Sequence, residues 1–140
     1  MIGPKHTRYN ELSAAGDVID LAALREELFI TMDFGRTFQD ITYSLCQKAG
    51  FFPKSSFQTD DFVAKMHAVR EGAGVAFLPE SCLEEASFLC PGLKHFSIKD
   101  TESKRTVLLL RKKRNLLSET AIDFWDFVLE YYKLPADERE

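Results

Sequence analysis

Short apolar runs alternate along this chain with longer stretches of helical period, and that alternation limits the fold more than any other feature. Residues 28–32 and 75–78 are apolar, bounded by glycine or proline, and read as buried strands. Between them, Phe38, Ile41, Leu45 and Ala49 share one face of a helix predicted over 37–49. Gly35 precedes that helix as a strand breaker, and Gly50 and Pro53 stop it. Residues 55–58 read as a weak strand. Thr59 is expected to cap the next helix, with Asp60 and Asp61 in its first turn and Phe62, Met66, Val69 and Ala73 facing inward. Gly72 and Gly74 end it. Strands and helices in this alternation predict an α/β fold with a largely parallel sheet.

The flanks carry weaker signals. Residues 1–19 hold Gly3, Pro4 and Gly16 and read as irregular or edge structure. Asp20 is placed to cap a short helix over 21–26. Ser81 and Glu84 have capping-box spacing, and Pro91-Gly92 marks a turn. Residues 95–99 alternate, with Phe96 and Ile98 on one face. A polar turn at 100–104 leads to a strand predicted over 106–110. Ser118 is expected to cap a last helix with a wide apolar face of Ile122, Trp125, Val128, Leu129 and Tyr132. The tail 135–140 is charged and expected to fray.

With 140 residues, 45% of them hydrophobic, the chain can bury a core without disulfide or metal staples. A formal net charge of −4 disfavours direct nucleic-acid binding by this chain, because such binders are usually basic. The sparse, odd set Cys46, Cys82 and Cys90 argues against a secreted disulfide scaffold and fits a reducing cytosol. No apolar run has the length of a signal peptide or membrane span, so the expectation is a soluble cytoplasmic protein with no membrane partner.

Catalytic and metal motifs are weak. There is no Gly-x-Ser-x-Gly elbow, and the adjacent carboxylates Asp60 and Asp61 diverge rather than converge, so no catalytic residues are assigned. Cys82, Cys90 and His95 lack the spacing of zinc ligands, and neither metal nor cofactor is expected. Gly72-Ala73-Gly74 ends a helix and lacks the spacing of a phosphate loop. Cys46 reads as a small core residue and His67 as exposed. The basic run 111–114 lies between a strand and a helix cap and reads as a solvated loop.

Several segments in order resemble the C-terminal portion of LysR-type transcription regulators. They are residues 20–30, the turn Gly50-Phe51-Phe52-Pro53, the helix–glycine–strand–proline stretch 68–79, and the returning segments 91–93, 107–111 and 117–127. The resemblance covers most of residues 18–132. It implies a periplasmic-binding-protein-like (type II) lobe: a mostly parallel sheet flanked by helices, plus hinge strands and a C-terminal helix. In this reading 1–19 come from a truncated first lobe, 20–110 form the second lobe with crossover strands, 111–134 are hinge loop and terminal helix, and 135–140 are tail. The implied function is sensing of a small-molecule effector for a regulator that meets DNA through a helix-turn-helix domain absent from this chain. The apolar face of the terminal helix then needs a partner, by repacking or by exchange with a second copy, so a homodimer or higher homo-oligomer is expected. The same fold also serves transporter solute-binding modules and a few enzymes, which stand as rivals.

Ligands of such folds lie outside the carboxyl ends of the strands, where helix N-termini point. Two turns qualify. Phe34, Gly35, Arg36 and Thr37 sit between strand and helix, where free backbone N–H groups with Arg36 can hold a carboxylate, or form only a glycine turn. Gln58, Thr59 and Asp60 make the second turn, which the resemblance places at the cleft, with Thr59 able to donate to an effector while capping its helix.

Overall fold

The run Leu28–Thr31 lies at the centre of the sheet because it finds a parallel neighbour on each side. The computed structural model describes residues 1–31, 35–99, 108–112 and 116–134, with 35–38 described as backbone alone. They fall into two compact units, Met1–Ser103 and Lys104–Glu140.

In the first unit, β2 (Leu28–Thr31) pairs in parallel with β3 (Lys54–Gln58) on one side. On the other it meets Val75 through a single parallel bridge. Val75 N–H donates to Leu28 O and Ile30 N–H to Val75 O, each at 2.8 Å. The strand expected over 75–78 therefore joins the sheet at Val75, and its next residue pairs elsewhere. Ala76 N–H donates to Met1 O at 3.1 Å and the Met1 amine to Ala76 O at 2.8 Å. Ile2 in turn exchanges two 2.9 Å bonds with Lys94. A separate parallel pair joins β1 (Val18–Ile19) to β4 (Ser97–Ile98), the strand foreseen within 95–99.

Residues 1–19, expected as irregular or edge structure, are more ordered than that expectation. They contain α1 (Tyr9–Ala14) and β1, and Ile2 is buried in the core. Pairing between residues more than seventy positions apart, as in Met1 with Ala76, holds this segment, and no local period announces it.

Some helix ends follow their sequence signals and others do not. Asp20 caps a 3₁₀ turn, Leu21–Leu24, by accepting from Ala22 N–H at 2.9 Å. α2 (Gly35–Lys48) and α3 (Phe62–Arg70) both end on a left-handed glycine, Gly50 at φ 82° and Gly72 at φ 83°. Phe51 N–H reaches back to Cys46 O and Ala73 N–H to Ala68 O, both at 3.0 Å, which satisfies the last carbonyls of each helix. Gly35 is thus the first residue of α2, not a separate break, and Ala73 lies exposed beyond α3. The capping box expected at Ser81 is absent. A 3₁₀ turn, Glu80–Cys82, runs directly into α4 (Leu83–Leu89), and Ser81 lies inside that turn, where its hydroxyl cannot cap the helix.

Phe29 anchors the core, its ring 5.8 Å from Phe77 and 6.0 Å from Phe51. Leu12, Ile19, Leu21, Leu24, Leu45 and Cys46 pack into the same cluster, and Met66, Ala86 and Cys90 form another. Burial pushes the Cys46 thiol up to about 11, so it stays a neutral core group.

In the second unit, α5 (Glu119–Tyr131) starts at Ser118, whose hydroxyl accepts from Ala121 N–H at 3.3 Å. Arg111 lies over the Trp125 ring at 4.9 Å, so this end of the basic run stacks on an aromatic face. None of the residues of α5 is buried. Residues 108–110 belong to no strand, and Leu108 and Leu110 are exposed. An apolar strand needs a partner edge, and among the described residues no ladder reaches 108–110. The rest of the strand expected over 106–110, the polar turn expected at 100–104 and the tail lie outside the described residues. Among the described residues no helix is long and apolar enough to cross a membrane.

Candidate functional site

Both parallel strands of the β2–β3 pair are followed by a helix, so the turns into α2 and α3 leave the sheet at the same end. A hydrogen bond joins the two exits: Thr59 N–H donates to Thr31 O at 3.2 Å. Thr31 is the last residue of β2, and α2 begins four positions later.

Asp61, not Thr59, caps α3. Asp61 Oδ1 accepts from Ala64 N–H at 3.0 Å, while Thr59 Oγ1 accepts from Asp61 N–H at 3.1 Å. The cap moves because Asp61 holds the extended backbone of an N-cap, with φ −82° and ψ 115°. Gln58, Thr59 and Asp60 consequently form the turn that precedes the helix. Gln58 and Asp60 are exposed and Thr59 is half-buried. Of the other turn, Gly35, Arg36 and Thr37 form the first residues of α2, with their side chains outside the described set, and Phe34 lies outside the described residues altogether.

Beside Thr31 the structure assembles polar groups that no sequence motif announces. A small hollow of about 10 Å³, room for one water molecule, is lined by Phe29, Ile30, Thr31, Gln39, Thr42, Lys65 and Phe77. Thr31, Thr42 and Lys65 are all buried. Thr31 Oγ1 lies 3.2 Å from Ser55 Oγ, and Lys65 Nζ donates to Phe77 O at 3.0 Å. Burial pushes the Lys65 ammonium down to about 8, with Cys82 acting weakly the other way. One sequence signal could have found Lys65: it stands three residues after Phe62 and four before Val69, which places it on the inner face of α3.

A larger hollow of about 80 Å³ is lined by side chains including Leu24, Phe29, Phe77, Leu83, His95 and Phe96. It is apolar and lacks the converging polar groups that orient a metabolite. Of the other residues weighed as ligands, Cys82 is half-buried and His95 exposed. Cys90 is fully buried, with Sγ 3.9 Å from His67 Nδ1, so His67 is half-buried rather than exposed. Among the described residues no group of three or more His, Cys, Asp or Glu could hold a metal ion.

The family model described as "LysR substrate binding domain" matches residues 7–133. The chain belongs to this family. Two curated relatives share its sequence over shorter or longer spans. The domain is 29% identical over 127 residues to the transcriptional dual regulator GltC of Bacillus subtilis (strain 168), covering 88% of this chain and 40% of that protein. It is 42% identical over 65 residues to the HTH-type transcriptional regulator ShiR of Corynebacterium glutamicum (strain R), covering 45% of this chain and 22% of that protein. It thus spans less than half the length of either relative, and both are named as regulators, not enzymes. Among solved structures, the C-terminal domain of a probable LysR family transcriptional regulator from Rhodococcus sp. RHA1 aligns with a TM-score of 0.47 and 23% identity, over 56% of this chain and 38% of that one.

Proposed function

We propose that this domain senses a small-molecule effector on behalf of a cytoplasmic, DNA-binding transcription regulator, without chemistry of its own. The observation that supports the reading is the bond from Thr59 N–H to Thr31 O, which ties the turn Gln58–Thr59–Asp60 to the end of β2 at the carboxyl end of one parallel strand pair. Membership of the LysR substrate binding domain family and the names of the two relatives support the regulatory half. In this reading DNA is met by another part of the regulator, and the effector lies over the two turns, where first-turn amides of α2 and α3 favour anionic or strongly accepting groups.

A thermal-shift screen of the purified chain against a metabolite library tests this. The expected result is a saturable rise in Tm, reaching about 10 °C when the ligand stands at 100 times its Kd, which corresponds to about 2.7 kcal/mol. The same compound is expected to change the affinity of the whole regulator for its DNA. A hit converted to product, or one that stabilises the chain and leaves DNA binding untouched, contradicts the reading.

A further inference from the structure

We infer that the larger hollow is a second ligand site, separate from the turns into α2 and α3, and that it takes an uncharged apolar molecule of about three or four carbon atoms. It does not rest on the effector-site reading.

The way the strands pair creates the hollow. The β1–β4 pair and the β2–β3 pair are separate ladders, and among the described residues no ladder joins them. Ile19 and Ile98 line the hollow from one pair, and Phe29, with Val75 beside it, from the other. Each wall is held by its own backbone bonds. Ser97 N–H donates to Asp17 O at 2.8 Å and Lys99 N–H to Ile19 O at 3.0 Å on one side, and Val75 N–H to Leu28 O at 2.8 Å on the other. The 3₁₀ turn that carries Leu21 and Leu24 into the lining is fixed by its Asp20 cap. Closing the gap would break these bonds, so the walls stay apart. Side chains that face a gap lose packing partners on that side, which favours any apolar atoms that fill it.

Chemistry and size then select the occupant. Ile2, Ile19, Leu21, Leu24 and Phe29 are buried, and their side chains are hydrocarbon alone. Water needs two to four hydrogen-bond partners, which these side chains do not offer, whereas hydrocarbon needs none. His95 is the one lining residue with nitrogen or oxygen in its side chain, and it is exposed, so a single polar end of a ligand can stay in solvent beside it. The volume of about 80 Å³ is roughly half of the ~150 Å³ at which an apolar cavity admits benzene. A protein partner would need roughly 800 Å² of surface on this side. The large apolar residues of the lining are all buried or half-buried, so no exposed apolar surround offers that area. An occupant touches both strand pairs at once and ties them together.

Methyl resonances of the ¹³C-labelled chain, recorded under xenon pressure and in titrations with isobutanol and with the polar control ethylene glycol, provide the test. The expected result is saturable shifts at Leu21, Leu24, Val75 and Leu83 with xenon and isobutanol, with Kd on the order of 1 mM for so small a ligand. Ethylene glycol is expected to bind at least tenfold more weakly, and the amides of Gln58 and Thr59 to stay in place. Leu83→Phe narrows the hollow from its half-buried rim and is expected to weaken isobutanol binding at least fivefold, with Tm unchanged. The xenon pattern needs no variant, so it decides the matter even where Leu83→Phe fails to fold. Shifts absent from these four residues, shifts at Gln58 and Thr59 in their place, equal binding of ethylene glycol, or undiminished isobutanol binding in folded Leu83→Phe would each overturn the assignment.

Discussion

Phe29→Ala is expected to cost about 4 kcal/mol, measured as the change in unfolding free energy in urea, and to lower Tm by about 15 °C. The phenyl ring is 1% exposed, stacked on Phe77 with an interplanar angle of 16° and tilted against Phe51. It lines both hollows, the polar one beside Lys65 and the larger apolar one. Truncation therefore opens a void between two spaces that already exist, and the neighbouring backbone, held on both sides of β2, cannot collapse into it. That loss is a large share of the 5–15 kcal/mol by which a domain of this kind is usually stable. Phe29→Leu keeps most of the volume and is expected to cost less than half as much.

Glu27→Ala is expected to cost about 3 kcal/mol by the same measurement. Glu27 sits after the 3₁₀ turn, with its side chain only 9% exposed. One carboxylate oxygen lies 2.9 Å from His6 Nε2 and the other accepts from Arg8 Nη1 at 2.7 Å. His6 Nδ1 accepts from Arg8 N–H at 3.2 Å, so the hydrogen-bond network assigns the imidazole proton to Nε2, facing Glu27. Truncation strands that buried N–H and removes one of two carboxylates from Arg8, whose other partner is Glu11 at 2.8 Å. Because Arg8 is partly exposed and keeps Glu11, the loss falls at the lower end of the range for broken buried pairs. Glu27→Gln keeps an acceptor for one of the two donors but turns its amide N–H toward the other, and is expected to cost about 2 kcal/mol. Equal losses in the two variants would show that charge, not anchoring of residues 1–8, is what Glu27 supplies.

That anchor also marks the limit of what could be read in advance. The helices were legible because their ends are written locally: Asp20 and Ser118 accept from backbone N–H groups within their own first turns, and Gly50 and Gly72 take left-handed conformations that other residues rarely adopt. Segment 1–19 was not legible, since Met1 with Ala76, Ile2 with Lys94 and His6 with Glu27 are tertiary pairs that no window of sequence contains. Two cap assignments slipped for a different reason. Thr59 and Asp61 both carry oxygen acceptors, and Ser81 stands near a helix start, so composition alone does not decide which residue holds the N-cap backbone geometry. The turn 58–60 was legible as the exit of a strand into a helix. The burial of Lys65 was not legible, because a lysine interrupts the otherwise apolar stripe of α3. Residues 108–110 have the apolar character of a strand, and character without a partner edge does not make one.

Amide hydrogen exchange, read residue by residue on the chain with and without a compound that raises its Tm, tests the placement of the effector most directly. Protection gathered at 35–39 and 58–62, with α5 unchanged, is the expected outcome. Protection centred on Leu24, Leu83 and Phe96, the walls of the apolar hollow, with no change at Thr59, would contradict it.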